Sequence, residues 1–478
     1  MGQAVNPYLP SWEYIPDGEP HLFGDRVYVY GSHDKFNAPI FCVNDYVCWS
    51  APADDLSDWR YEGVIYRKKQ DPRNKLGLRL LFAPDVCQGP DGRYYLYYAF
   101  DFMGIMGVAV CDTPAGQYQF LGHVKYPDGT IWGRKKGDQF PFDPGVLTDD
   151  DGRVWLYSGF YTPTPAIVTG GVKLRNDGGA VVELEPDMVT IKGKPKVIFP
   201  KEGPGSFPNH EFFEASSIRK NGDTYIFVYS SRHNHELCYA TSKRPDGGFT
   251  FGGTLVSQGD LFLDGRTEEK EGLNYLGNTH GGLLKLKEQW YIFYHRQTNQ
   301  HSYSRQACAE KLERTSEGGF RQAEVTSCGL NDGPLKGEGR YEARIACNLW
   351  FKDGVGRYDG PSPRKRLKNH PYFTQTGGDR EERGDQYIAN MRDGAVAGFK
   401  YFQIEERSKI SLETGGSGKG VMQVSDTPNF ARICAEMRVS PGISEDARLD
   451  MGPGVRALYF RFCGTGSVNF HAFTLSPL

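Results

Sequence analysis

The sequence predicts an all-β chain, a five-bladed β-propeller followed by a β-sandwich of jelly-roll type. Three observations carry this. A phrase made of a turn and then alternating aromatic and β-branched residues returns along the chain: GDRVYVYGSHD from Gly24, DGRYYLYYAFD from Asp91, DGRVWLYSGF from Asp151, NGDTYIFVYSS from Asn221 and LKEQWYIFYHR from Leu286. Each reads as the turn and second strand of a hairpin. The phrases recur about every 60–70 residues, which leaves room for one four-stranded sheet per repeat, as in the longer propeller repeats. Beyond Tyr341 the texture changes to short alternating stretches without the phrase.

Taken in order, the propeller is expected over residues 1–335, with FRQAEVTSCGL (320–330) as the strand that closes the ring. NDGPLKGEGR (331–340) is rich in turn and charged residues and reads as a linker. A second domain over 336–478 is expected because 478 residues exceed what one core supports. Its stretches YEARIACNLWF, QYIANM, AGFKYFQI, KISLET, GVMQVS, ARICAEMRV, ALYFRFCG and FHAFTL suggest roughly eight antiparallel strands of a sandwich. The basic stretch RYDGPSPRKRLKNHPYF (357–373) reads as an exposed loop.

A net charge of −3 and a pI near 6.4 give no electrostatic footprint for nucleic acid or an acidic membrane. No apolar run is long enough to cross a bilayer, and MGQAVNPYLPSWEY has neither the basic nor the apolar region of a leader. The ten cysteines stand singly, without metal-ligand spacing. Together these point to a cytoplasmic protein with free thiols, acting on a neutral substrate. No organic cofactor is expected.

Just ahead of each phrase, where the first strand of the hairpin begins, stands one polar residue in apolar or small surroundings: Asp17, Asp85, Asp143, Glu214 and His280. In a propeller the innermost strands line one channel, so these groups are expected to share a cavity. Glu214 follows Phe212 and Phe213, and such crowding raises a carboxyl pKa, which a general acid needs. Glu211 competes with it but lies three residues ahead of the strand phase. Carboxylates meeting in one pocket, with no nucleophilic Ser or Cys motif, suit glycoside hydrolysis, and carboxylates set across a channel favour the wider inverting separation of about 6.5–9.5 Å. Arg305 rather than Arg296 is the candidate to donate to sugar hydroxyls, and Phe213 and Trp49 are the candidate aromatic contacts. His280 is the candidate axial imidazole, with a structural Ca²⁺ liganded mostly by water and oxygen as one option. A non-catalytic sugar-binding propeller and a retaining sucrose-acting or phosphorylase-type enzyme are the rival readings.

The phrases IPDGEPHLFGDRVYVYGSHD, FAPDVCQGPDGRYYLYY, FDPGVLTDDDGRVWLYSG, FFEASSIRKNGDTYIFVYSS and GNTHGGLLKLKEQWYIFYHR together resemble glycoside hydrolase family 43 over about residues 5–330. The resemblance implies a five-bladed propeller with an inverting site at one end of its axis. It puts the general base on Asp17, the pKa-modulating Asp on Asp143, the general acid on Glu214, the axial histidine near Ca²⁺ on His280 and the substrate-binding arginine on Arg305. Asp85 matches a supporting, substrate-side residue. The first site reads Asp17-Gly18 where the family has Asp-Pro, with Glu19-Pro20 two residues on, so Glu19 stands as an alternative base. The tail, in GDQYIANMRDGAVAGFKYFQI and ALYFRFCGTGSVNFHAFTL, resembles carbohydrate-binding module family 6, which implies sugar binding or bracing of the propeller. The implied activity is removal of terminal pentose by an α-L-arabinofuranosidase, with β-xylosidase as the alternative, acting on arabinoxylan- or arabinan-derived oligosaccharides.

Overall fold

The computed structural model describes residues 2–405, 408–441 and 445–478. Among them the chain is all-β, and its one α-helix is the four-residue Pro363–Arg366. The first four sheets are meanders in which strand order follows chain order: β1 Glu19–Phe23, β2 Arg26–Tyr30, β3 Tyr46–Pro52 and β4 Arg60–Tyr66; β5 Leu81–Gln88, β6 Tyr94–Phe100, β7 Met106–Cys111 and β8 Gln119–His123; β9 Gly145–Thr148, β10 Val154–Gly159, β11 Gly178–Leu184 and β12 Ile191–Pro200; β13 Phe212–Asn221, β14 Thr224–Ser231, β15 Glu236–Ser242 and β16 Thr250–Ser257. A fifth sheet has three strands, β17 Leu283–Leu286, β18 Gln289–Thr298 and β19 His301–Leu312.

The repeated phrase forms β2, β6, β10, β14 and β18. Apart from β2, where Arg26 and Tyr28 are half-buried, these strands are buried along nearly their whole length, as in β6 and β14, because a neighbouring sheet covers each face. The tyrosine at one phrase position shows how the sheets are tied. Tyr30, Tyr97 and Tyr157 are fully buried, and each donates its hydroxyl across to the outer turn of the next sheet, to Pro114 O, Met188 O and Pro245 O, at 2.7 Å in every case. A buried phenol must find an acceptor, so the repeat specifies both an apolar body and a fixed neighbour. The first strands touch in cyclic order: β1 meets β5, β5 meets β9, β9 meets β13, β13 meets β17, and β17 returns to β1. A bridge between Gly18 and Gly281 joins the two ends of that cycle.

The segment 320–330 does not form the expected strand on the fifth sheet. It runs along the outer strand of the fourth instead, where Ala323 N donates to Leu255 O at 2.7 Å. The edge of β19 is taken by the N-terminal segment, whose Asn6 side chain exchanges hydrogen bonds with Ala309 and whose Tyr8 N donates to Ala307 O.

The remaining strands form two further sheets. One orders β20 (Leu335–Lys336), β25 (Val396–Ile404), β30 (Gly454–Thr465), β27 (Lys419–Ser425) and β28 (Ala435–Val439), with β22 (Asn348–Trp350) also on β25. The other orders β23 (Tyr372–Gln375), β24 (Gln386–Met391), β31 (Val468–Pro477), β26 (Ser408–Gly416) and β29 (Asp446–Arg448), with β21 (Gly339–Glu342) also on β31. Ring contacts from Phe399 to Phe473 at 5.0 Å and from Phe460 to Phe470 at 5.1 Å join the two across one apolar core. QYIANM is β24 residue for residue, whereas YEARIACNLWF is split by a 3-10 turn at Ala343–Ile345.

The C-terminal sheets are fastened to the N-terminal ones by buried polar groups. Lys400 Nζ reaches Asp260 Oδ2 at 3.0 Å with both side chains buried, and Arg296 donates to the carbonyls of Arg344 and Ala346 while stacking on Phe373 at 3.8 Å. Removing one partner of a buried pair such as Lys400 and Asp260 typically costs about 3–5 kcal/mol. The basic stretch 357–373 is not a free loop either: Tyr358, Leu367 and His370 are buried, and Tyr358 stacks on Tyr275 at 4.9 Å.

Candidate active site

Asp17 and Asp143 each precede the first strand of a sheet by two residues, with φ of 58° and 44°. Such left-handed backbone costs on the order of 1–3 kcal/mol, least for Asp and Asn, and is retained where the surroundings hold it. Glu214 enters β13 through a bulge: the register against β14 shifts on both sides of it, and Ala215 has φ 67°. A bulge re-aims a side chain. Here it also turns Ala215 N toward Asp143 Oδ2, 3.1 Å away, so the Asp143 carboxylate of the third sheet is tied to the bulge that carries Glu214 on the fourth.

These devices bring Asp17, Asp143, Glu214, His280, Arg305 and Phe213 to one cavity of about 190 Å³. Its polar side is the acidic cluster, and its other side is a wall of phenylalanines. Phe142 stands one residue before Asp143 and stacks on Phe102 with centroids 5.6 Å apart, and Phe82, Phe160 and Phe41 extend that wall. A cavity with one polar and one apolar side matches a sugar ring, which has hydroxyl edges and apolar C–H faces.

The two outer carboxyls are driven apart electrically. Burial acts to raise the Asp17 pKa, but Arg305, the largest opposing influence, and after it His280 overcome it and hold the group below the usual carboxylate range. Arg305 Nη1 lies 3.0 Å from Asp17 Oδ1. Glu214 has no cation of its own: burial raises its pKa well above the ordinary value, and the neighbouring Asp143 and Asp17 charges raise it further. Asp143 is raised by burial, which His280 and the Ala215 amide only partly offset. His280 sits between Asp143 Oδ2 at 3.5 Å and Glu19 Oε1 at 3.7 Å, and these carboxylates outweigh burial and raise its pKa. His295, fully buried, is pushed down to about 3 by burial. It is therefore neutral, with Nε2 donating to Asn278 O at 2.8 Å and Nδ1 accepting from Asp17 N at 3.2 Å, which pins the strained Asp17 backbone.

Arg305 is more committed than a sugar-binding arginine need be. Nε and Nη2 form a fork on Asp34 at 2.9 and 3.0 Å, Nη2 also donates to Cys42 Sγ and Nη1 to Asp17. Of the five guanidinium N–H groups one on Nη1 is left for a ligand. Its main work is to keep Asp17 ionised.

Two expected contacts are corrected by the structure. Asp85 does not line the cavity. It pairs with Tyr97 in β5, the position that Glu19 holds opposite Tyr30 in β1, so it stands two residues, about 7 Å, further along its strand than Asp17. There it meets His21 Nε2 at 2.7 Å and accepts from Val146 N at 2.8 Å. Trp49 lies on β3, away from the inner strands, and is core: it packs with Trp12 and Tyr61 and donates to Glu13 Oε2 at 2.9 Å. Of the alternatives, Glu19 is held beneath the cavity by Arg219 and Ser217, Glu211 faces Arg232, and Arg296 faces the C-terminal sheets; none lines the cavity.

Sequence reasoning missed Asp34, His295, Asn234 and Asp359. His295 and Asp34 stand at the ends of repeated phrases (YHR, SHD) and carried a signal; Asn234 and Asp359 lie on loops outside the repeat. Among the described residues, the His/Cys/Asp/Glu groups spaced to hold a metal are His210–Glu236–Cys238 and Glu19–His21–Asp85, and His280 is in neither. His280 Nε2 and Glu19 Oε1 are nevertheless both buried without a hydrogen-bond partner and face one another.

The family model described as Glycosyl hydrolases family 43 matches residues 16–320. A xylosidase/arabinosidase of Thermoclostridium stercorarium is 49% identical over 99% of both chains. An arabinoxylan arabinofuranohydrolase of Paenibacillus polymyxa is 31% identical, with 98% of this chain and 72% of that one covered. In fold, the chain is similar to the crystal structure of a Bacillus subtilis family 43 arabinoxylan arabinofuranohydrolase in complex with cellotetraose, with a TM-score of 0.52 at 21% identity over 99% of this chain and 97% of that one. The chain thus belongs to glycosyl hydrolases family 43 and is a glycoside hydrolase.

Proposed function

We propose that the cavity is the active site of an exo-acting, inverting glycosidase that releases terminal α-L-arabinofuranosyl residues from arabinoxylan- or arabinan-derived oligosaccharides, with terminal β-xylosyl residues as the second substrate. Relatives described as xylosidase/arabinosidase and as arabinoxylan arabinofuranohydrolase support the sugar class. The observation that carries the mechanism is the opposed displacement of two carboxyls in one pocket, Asp17 downward and Glu214 upward. Environments that push two titratable groups apart assign the base and the acid.

In this reading Asp17, ionised beside Arg305, takes a proton from a water that attacks the anomeric carbon. Glu214, still protonated, gives its proton to the departing oxygen, and the bond to the leaving sugar breaks as the bond to water forms. Asp143 keeps the proton on Glu214 by like-charge repulsion, and its bond to Ala215 N fixes the bulge that aims Glu214. The 190 Å³ volume suits a single terminal ring, which favours exo action.

The cyclic contacts of the five first strands support a five-bladed propeller spanning residues 1–335, and the face-to-face C-terminal sheets support a sandwich module over 336–478 that resembles carbohydrate-binding module family 6 and braces the propeller. A hard cation such as Ca²⁺ fits beside His280 only with the imidazole neutral, in place of the proton that Asp143 and Glu19 otherwise favour on the ring; the unpartnered Nε2 and the facing Glu19 carboxylate would then hold it, with water completing the shell. Bound there it would supply positive charge beneath Asp143.

The test is a set of nitrophenyl glycosides, with melting curves run in parallel with and without Ca²⁺. Hydrolysis of the α-L-arabinofuranoside with the highest kcat/KM, the β-xyloside next and the β-galactofuranoside least is the expected order. Inactivity on all three would reject this choice of terminal sugars. A melting temperature that Ca²⁺ does not raise, or raises equally in His280→Ala, would reject the cation.

A further inference from the structure

The cavity is not lined by the N-terminal sheets alone. Asp359, from the C-terminal part of the chain, stands in its lining beside Asn234, which sits at the tip of the turn between β14 and β15 with φ 63°. Asn234 Nδ2 donates to Asp359 Oδ2 at 3.2 Å, and Asn234 Oδ1 is buried without a partner.

The placement of Asp359 is built rather than incidental. Arg357 grips its carboxylate with a fork at 2.9 and 2.8 Å, and the same guanidinium reaches His233 O at 3.1 Å and Glu269 Oε1 at 2.6 Å. The backbone on either side is clamped as well, with Leu276 N donating to Gly356 O and Tyr358 N to Leu276 O. A carboxylate held this way loses little freedom when it accepts hydroxyls, which is the condition for it to contribute to affinity. Asp17 and Asp143 are buried at the starts of first strands and Arg305 is buried on β19, whereas Asn234 and Asp359 belong to surface turns with the Asp359 side chain 18% exposed. The pair therefore marks the outer end of the cavity, where the part of the substrate beyond the scissile bond must lie.

We propose that Asp359, positioned by Arg357 and paired with Asn234, is a specificity-determining residue that accepts hydroxyls of the sugar on the leaving-group side, so that the C-terminal part of the chain selects a carbohydrate aglycone over other leaving groups. This rests on the reading of the cavity as a glycosidase site. It gives the tail a part in substrate choice by contributing directly to the catalytic pocket, with no separate sugar site on the module required.

The experiment compares two substrates with the same terminal sugar, the nitrophenyl glycoside and an oligosaccharide, in wild type, Asp359→Ala and Asp359→Asn, each checked by its melting curve. Hydrogen bonds to a charged acceptor make the expected fall in the ratio of kcat/KM, oligosaccharide over aryl glycoside, about 10- to 100-fold in Asp359→Ala, and smaller in Asp359→Asn, which keeps an acceptor. A ratio that stays within about twofold of wild type in both variants would overturn the proposal, since a loss of fold or of general activity lowers both substrates alike. If the wild type cleaves neither substrate, the glycosidase reading falls and this inference with it; if it cleaves both and the ratio is unmoved, only this inference falls.

Discussion

Glu214→Gln is expected to lower kcat on oligosaccharides by about 10²- to 10⁴-fold, the usual worth of a positioned general acid. The substitution keeps the shape of the side chain and removes its transferable proton. A sugar alkoxide cannot leave without that proton, whereas a dinitrophenolate can, so the deficit should shrink steeply on dinitrophenyl glycosides. A uniform loss on both would assign Glu214 a different role. The same residue is expected to set the alkaline limb of the pH profile. Its pKa is raised by burial and then by Asp143, so the wild type should lose activity as pH rises through that value, and the variant should lack that limb. Stability carries the same sign. A carboxyl whose folded pKa exceeds its unfolded one binds more protons folded than unfolded, so it costs stability as pH climbs past the unfolded value. Gln cannot ionise, and the variant should melt no lower than wild type and higher at alkaline pH.

Asp17→Asn should cost a comparable 10²- to 10⁴-fold in kcat, here because water is no longer deprotonated as it attacks. Asn accepts the left-handed backbone that position 17 requires, and Arg305 keeps its fork on Asp34, so the fold should hold. Azide needs no base. In Asp17→Asn it should restore turnover and give a glycosyl azide of inverted configuration, while in Asp143→Asn, where the base is intact, it should restore nothing. Rescue of both variants, or of neither, would remove Asp17 from the role of base.

What was legible in the sequence follows from what the repeat fixes. A turn and strand returning at a constant spacing give each inner hairpin a phase, and that phase delivered Asp17, Asp143, Glu214 and His280 to one cavity from positions up to 263 residues apart. Phase is also where the reading of Asp85 broke. The β5 register carries it one full pleat deeper than Asp17, and a sequence does not show where along a strand the channel opens. Trp49 misled because large aromatics serve cores and sugar sites alike, and on the third strand of a sheet the core claims them. Nothing in the repeat marked Asn234 or Asp359. They stand on turns 125 residues apart, joined only because the tail folds back over the fourth sheet through Arg357. Arg305 was found as a partner of the site but not as the clamp on Asp34, because SHD at the end of the first phrase is informative only once the first and last sheets are known to be neighbours.

The anomeric configuration of the first product, followed by proton NMR in the opening minutes of hydrolysis before mutarotation, tests the assignment most directly. Asp17 acting on water across the sugar from Glu214 predicts the inverted anomer. Appearance of the retained anomer would mean that a carboxylate attacks the sugar itself, and the roles given to both residues would be wrong.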